Sequence, residues 1–207
     1  RDQPRSRGLG DVYKRQVYDP DPAQQARNLD QLVQRVVDMG AGTVFLQAFA
    51  DPKGDGLVHS LYFPNRHLPV RADLFNRVSW QLHTRAHAAV YAWMPVLSFA
   101  LDPKLPRVTR WDPQTGQVGT DPDQYKRLSP FDPQVRKIIG EIYEDLARNN
   151  AIDGVLYHDD AVLSDFEDAS PAALKAYAAN GLPGSIAALR ADPVSYTHLT
   201  LPTSDLV

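Results

Sequence analysis

Asp153–Asp160 reads DGVLYHDD: a short apolar run that ends on a histidine and two adjacent carboxylates. Asp153–Tyr157 predicts a buried strand, with His158, Asp159 and Asp160 at its C-terminal end. Two earlier stretches have the same form. Thr43–Phe49 is TVFLQAF and Ala89–Leu97 is AVYAWMPVL. Nearly continuous apolar strands of this kind suit a parallel sheet covered on both faces.

Helical patterns lie between them. Asp21-Pro22 reads as an N-cap followed by a first-turn proline. Ala26, Leu29, Leu32, Val33 and Val36 then recur on one helix face, and Gly40 or Gly42 supplies the stop. Asp73 reads as the cap of a second helix through Leu74, Phe75, Val78 and Leu82. Asp132-Pro133 opens a third, with Val135, Ile138, Ile139, Ile142 and Leu146 on one face. Ser170-Pro171 opens a fourth. Roughly residues 100–131 show no clear period, and a connection that long is usually functional.

Strands alternating with helices predict an α/β fold with a parallel sheet. No strand is followed by a G-x-G-x-x-G turn or a phosphate loop, which disfavours a nucleotide-binding sheet. The strand ends carry carboxylates, amides and aromatics instead, as the active sites of (β/α)8 TIM-type barrels do. Three strands cannot close a barrel, so the expectation is a partial barrel, roughly its first half.

Composition removes other classes. The 207 residues are 43% hydrophobic and 23% charged, enough for a core. A net charge of −3 argues against a general nucleic-acid field. Apolar runs are too short to span a membrane as a helix. There is no cysteine, hence no disulfide and no thiolate chemistry. Eight Asp-Pro pairs act as turn and helix-start signals.

Asp159 and Asp160 are the candidate catalytic pair. Two adjacent carboxylates are costly to bury unless they are paired. Their strand positions argue for unequal roles, one donating a proton and the other ionised and orienting, a division that suits glycosidic cleavage. An acetamido group on the sugar would offer the second carboxylate an internal nucleophile to steer. Asp160 is preferred as acid and Asp159 as orienting group, on analogy with adjacent acidic pairs in acetamido-sugar hydrolases. The alternative is a capping turn before Ser164–Asp168.

Gln47 and Asp51 follow the first strand, Trp93 lies in the second, and Asn65, Arg66 and His67 lie on the first long loop. With His158 they form a mixture of stacking faces and hydrogen-bonding groups that fits a carbohydrate cleft. Core packing is the competing role for Trp93, and a structured turn for Asn65–His67. Trp111 and Tyr125 have cleft-lining or anchoring roles open to them. Asp165, Glu167 and Asp168 read as a solvated acidic face, or as a groove for an amine-bearing sugar. His83 and His87 are spaced i, i+4 but lack H-E-x-x-H, and a site on His158, Asp159 and Asp160 lacks a third-strand ligand, so no metal is assigned. Ser98, Ser129 and Ser164 lack the G-x-S-x-G elbow.

The blocks LQAFADPKGDG, LYFPNRHLPVRADLF, YAWMPVLSF, RLSPFDPQVR and YHDDAVLSDFEDASP resemble the C-terminal glycoside-hydrolase-type domain of bacterial poly-β-1,6-N-acetyl-D-glucosamine N-deacetylases. The resemblance runs from about Val17 to Pro193. It implies a (β/α)8 barrel in a biofilm exopolysaccharide protein of the periplasm or outer membrane. It implies binding of the polymer and, in some members, cleavage after partial deacetylation. The family's acidic residues fall on Asp159 and Asp160, and its first-strand Tyr-Asp on Tyr18 and Asp19. No cofactor is implied for this domain. The partners implied are the partly deacetylated polymer and an N-terminal deacetylase domain that this sequence does not contain.

The ends differ from the body. Arg1–Gln16 carries five basic and two acidic residues, whereas 194–207 has one Asp and no Lys or Arg. RSRGLGDVYKRQ and VSYTHLTLPTSDLV resemble translated sequencing-adapter read-through. Residues 1–16 and 194–207 are therefore expected to be non-native text around a partial barrel at 17–193. Three functions compete: polymer hydrolase, non-catalytic polymer-binding module, and inactive truncated product.

Overall fold

The computed structural model describes residues 17–120 and 125–191. The expectations for 1–16 and 194–207 lie outside the described residues. The chain divides into two compact units, Arg1–Pro95 with Glu141–His158 and Val96–Gly140 with Asp159–Val207.

In the first unit, helix α1 spans Pro22–Met39. Asp21 caps it as expected, its side chain accepting from Ala23 N at 3.0 Å and Gln24 N at 3.3 Å. Gly40, at φ 61°, ends it in the left-handed conformation that glycine adopts without a Cβ clash. Leu29, Val33 and Val36 are its buried face. Strand β1 (Thr43–Gln47) is followed by a short antiparallel pair, β2 (Phe49–Ala50) with β3 (Ser60–Leu61). Helix α2 (Phe75–Gln81) continues into a π turn, Leu82–Ala86. Asp73 is not its cap. Leu74 is the cap residue, and the Leu74 and Phe75 amides donate to Tyr62 O at 3.1 and 2.9 Å. A backbone carbonyl thus satisfies amides that a side-chain cap would otherwise hold.

Strand β4 is Ala89–Met94. It lies between β1 and β7 (Gly154–Tyr157), parallel to both. This is the parallel α/β sheet that the sequence predicts. Val90, Ala92 and Met94 are fully buried on one face. The other face carries Phe45, Tyr91, Trp93 and Leu156, in register as Phe45↔Tyr91 and Trp93↔Leu156. Phe45 and Leu156 there are 53% and 40% exposed, so among the described residues that face is not fully covered. That departs from the expectation of two covered faces.

Between β4 and β7 the chain forms a small pair in the second unit, β5 (Arg110–Trp111) with β6 (Val118–Gly119). Helix α3 is Pro133–Asn149. After β7 come a 3-10 turn at Asp159–Ala161, helix α4 (Pro171–Ala179) and helix α5 (Ile186–Ala191). Ser170 caps α4, accepting from Ala173 N at 3.3 Å. Trp111, Ala169 and Leu189 form a core cluster in this unit, with Phe166, Leu174 and Ile186 against it. Trp111 is therefore a core residue.

Candidate active site

Strand β7 ends at Tyr157, and the chain turns at once. In the 3-10 turn that follows, Asp160 is 1% exposed and Asp159 is exposed. Both Asp160 carboxylate oxygens are engaged by backbone amides. Val96 N donates to Oδ1 at 2.9 Å, and Leu97 N and Ser98 N donate to Oδ2 at 2.8 and 2.7 Å. Asp160 therefore fixes the segment that follows β4. With three backbone N–H donors and almost no exposure, the carboxylate faces inward onto the backbone. Asp159 has different company: the Tyr125 phenol donates to it. Burial, first, and then the neighbouring Asp159 carboxylate push the Tyr125 phenol up. Tyr125 comes from the long connection without clear periodicity.

In the first unit, Trp93 stacks on His158, with centroids 5.6 Å apart and planes at 17°. Phe49 meets the same indole edge-on at 5.9 Å. His158 N donates to Met94 O at 2.9 Å, which holds the histidine beside β4. Gln47, in register with Trp93, is 3% exposed, and its Nε2 donates to Phe49 O at 2.9 Å. The Tyr18 ring centroid lies 6.1 Å from that of Tyr62, and the Arg71 guanidinium lies over the Tyr18 ring, 4.9 Å from its centroid. Asp19 accepts from Asp21 N at 2.9 Å at the entry to α1.

The loop residues are scaffold. Asn65 Oδ1 accepts from His67 N and Leu68 N at 3.0 and 2.7 Å, and its Nδ2 donates to Phe63 O and Leu68 O. Arg66 donates from Nε to Asp145 at 3.0 Å and also bonds Glu144. His67 Nε2 lies 2.6 Å from Glu141. The Arg66 hydrogen bonds, chiefly, hold the Asp145 carboxyl below the usual carboxylate range. Asn65 thus holds the turn itself, and Arg66 and His67 pin the loop to α3. Asp51 behaves similarly: its carboxylate accepts from Gly54 N, Asp55 N and Gly56 N at 2.8, 3.3 and 3.0 Å. Asp51, Asp55 and His59 have ligand atoms within 4.8 Å of one another and are the described group able to hold a cation. Both short-range bonding and the His59–Asp55 pair at 3.1 Å account for their approach without one.

Residues 12–206 match the hypothetical glycosyl hydrolase family 13, GHL13. The chain belongs to that family. It is 54% identical, over 180 residues, to the poly-beta-1,6-N-acetyl-D-glucosamine N-deacetylase of Escherichia coli strain K12, and equally to that of strain O157:H7. The matched region is 87% of this chain but 27% of those relatives. Among solved structures it is similar to the PgaB (BpsB) glycoside hydrolase domain from Bordetella bronchiseptica, at 54% identity and a TM-score of 0.75. That match covers 88% of this chain and 52% of the solved one.

As a GHL13 domain the chain holds one polar arrangement that its sequence concealed. Glu167 and Asp168 are 8% and 0% exposed, not a solvated face. Glu167 pairs with Arg127 at 2.6 Å, both side chains 2% exposed. Asp168 accepts from Ser129 Oγ at 2.6 Å, Ser170 Oγ at 3.0 Å, Thr109 N at 3.1 Å and Ser170 N at 2.7 Å. Burial is tolerated because each carboxylate is paired or hydrogen-bonded. The signal available was the isolated Arg127-Leu128-Ser129 triplet at the end of an otherwise polar connection. His83, read as an exposed helix histidine, meets Asp153 at 2.7 Å.

Proposed function

We propose that this domain binds and hydrolyses partly deacetylated poly-β-1,6-N-acetyl-D-glucosamine, as the first half of a (β/α)8 barrel, in concert with a deacetylase domain. The envelope, periplasm or outer membrane, is the proposed setting, from the resemblance of the motifs alone. The observation that carries the catalytic reading is the division of labour between adjacent carboxylates. Asp160 is spent on three backbone amides, and Asp159 is exposed beside a phenol.

The geometry favours the reverse of the assignment preferred from sequence. Asp159 is the proton donor: its carboxyl proton passes to the glycosidic oxygen as the C1–O bond breaks, and a water oxygen bonds to C1 and gives up its proton, so that one sugar hydroxyl forms on each side of the cleaved bond. Asp160 is a positioning residue that fixes the turn from which Asp159 projects. Tyr125, hydrogen-bonded to the Asp159 side chain, orients that carboxyl. Within the first unit, Trp93, stacked on His158, presents an aromatic face of the kind that packs on sugar C–H groups.

The test is incubation of the chain with partly deacetylated polymer, followed by mass spectrometry of released oligosaccharides. Asp159→Asn should abolish release while binding persists, and Trp93→Ala should weaken binding. Undiminished release by Asp159→Asn would refute the assignment. Measurable binding with no product on long incubation would favour the binding-module reading, for which the half-exposed Trp93–His158 stack is the supporting feature.

A further inference from the structure

Arg127 lies in the connection before α3, two residues after Tyr125, yet its side chain is only 2% exposed. A guanidinium carries five N–H donors and stays charged, so a buried one must spend them on fixed acceptors. Each of its nitrogens does so. Nε donates to Tyr125 O at 3.3 Å, Nη1 donates to Val162 O, and Nη2 donates to Glu167 Oε1 at 2.6 Å. Glu167 is held in turn: its Oε2 accepts from Ser164 N at 2.9 Å and Ser164 Oγ at 2.8 Å. One planar group therefore joins the Tyr125 backbone to residues 162–167, the segment that leaves the Asp159–Ala161 turn. Val162 N donates back to Asp159 O at 3.2 Å. The bonds close a circuit. They run from Asp159 through Val162 and Arg127 to Tyr125, and from the Tyr125 phenol back to the Asp159 side chain.

Stability alone is a weak reason for that arrangement, because a buried ion pair yields little over a well-packed apolar pair of similar volume. What the pair supplies is geometry: a planar fork fixes the directions of its acceptors as a single ammonium does not. We infer that Arg127 is a positioning residue which, locked by Glu167, sets where Tyr125 stands against Asp159 and so maintains the hydrogen bond from the phenol to that side chain. Arg127 touches no substrate in this role and acts through Tyr125. The catalytic consequence rests on the function proposed above, whereas the positioning rests on the circuit of bonds.

Arg127→Lys keeps the charge, but its one nitrogen cannot replace three. Carbon-13 NMR of the full chain, labelled at tyrosine Cζ, reads the phenol at neutral pH. Tyr125→Phe assigns the signal, and Asp159→Ala gives its position without the hydrogen bond. In Arg127→Lys the Tyr125 signal should move more than half-way to that position. Glu167→Gln, which keeps an acceptor but unlocks the guanidinium, should move it the same way by less. In oligosaccharide release, Arg127→Lys should lower kcat about tenfold with KM within twofold. Added to Tyr125→Phe, it should slow release by no more than a further twofold, because the one acts through the other. A signal short of half-way in Arg127→Lys, a signal unmoved in Glu167→Gln, or effects that multiply in the double variant would each overturn the inference. So would loss of the fold in both single variants by circular dichroism, which would make the pair purely structural. If the parent releases oligosaccharides and the signal does not move, the positioning fails and the hydrolase reading stands. If the signal moves and the parent releases nothing, the positioning stands and the hydrolase reading fails.

Discussion

Replacing Asp160 by asparagine should damage the fold more than any other change to the paired carboxylates. Asp160 accepts from three amides, Val96 N, Leu97 N and Ser98 N, at 2.9, 2.8 and 2.7 Å. Asparagine keeps one acceptor oxygen and puts an NH2 where the other was. At least one amide then faces a donor. Two surviving bonds lose charge assistance, about 1 kcal/mol each, and one buried N–H is orphaned at about 1–3 kcal/mol. The sum is about 3–5 kcal/mol, which for a chain of this length lowers Tm by about 6–20 °C. Thermal unfolding followed by far-ultraviolet circular dichroism measures it. Asp159→Asn, at an exposed position, should stay within about 0.5 kcal/mol of the parent. Equal melting of parent and Asp160→Asn would refute the idea that Asp160 is a structural pin. So would an Asp159→Asn chain that melts as early as Asp160→Asn.

Other consequences follow from the same geometry. Arg127→Met leaves Glu167 buried without its cation and should cost about 3–5 kcal/mol in urea unfolding, part of it regained in Arg127→Met/Glu167→Met. Arg66 holds the Asp145 carboxyl low, so the clamp's stability is fully present above the unfolded value near 4 and is lost as pH falls through the lowered folded value. Arg66→Gln removes that support, and the acid-unfolding midpoint followed by circular dichroism should move to higher pH. Tyr125→Phe removes the donor to Asp159 and should slow oligosaccharide release about tenfold while shifting the pH profile of release, with an unchanged melt; an unchanged profile would remove Tyr125 from the site.

Periodicity and caps made most of the fold legible. The three parallel strands were readable because each is a bounded apolar run, and α1 because Asp21-Pro22 and Gly40 mark both ends. Asp73 misled because a carbonyl three-dimensionally near but eleven residues back in sequence, Tyr62 O, took the helix-start amides. The β5–β6 pair escaped because two-residue strands carry no period. At the site, chemistry-bearing residue types were legible but their spending was not. Asn65, Arg66 and His67 look like sugar ligands in a list of residues. Their partners on α3 are more than seventy positions away for Arg66 and His67, and nothing local to the loop marks the docking.

Asp159 and Asp160 show the same limit at its sharpest, because identical neighbours acquire opposite environments within one turn. Strand alternation would send them to opposite faces, but the strand has already given way to a 3-10 turn. What separates them is the amide run at 96–98, which only Asp160 reaches. Loss of activity in both asparagine variants would therefore not sort their roles: one removes the donor, the other loosens the turn that presents it. The two mechanisms part when stability and binding are read beside turnover. A missing proton donor leaves Tm and oligosaccharide affinity in place and removes the chemical step. A missing pin lowers Tm first, and its activity should recover in part on cooling, as the turn regains its geometry.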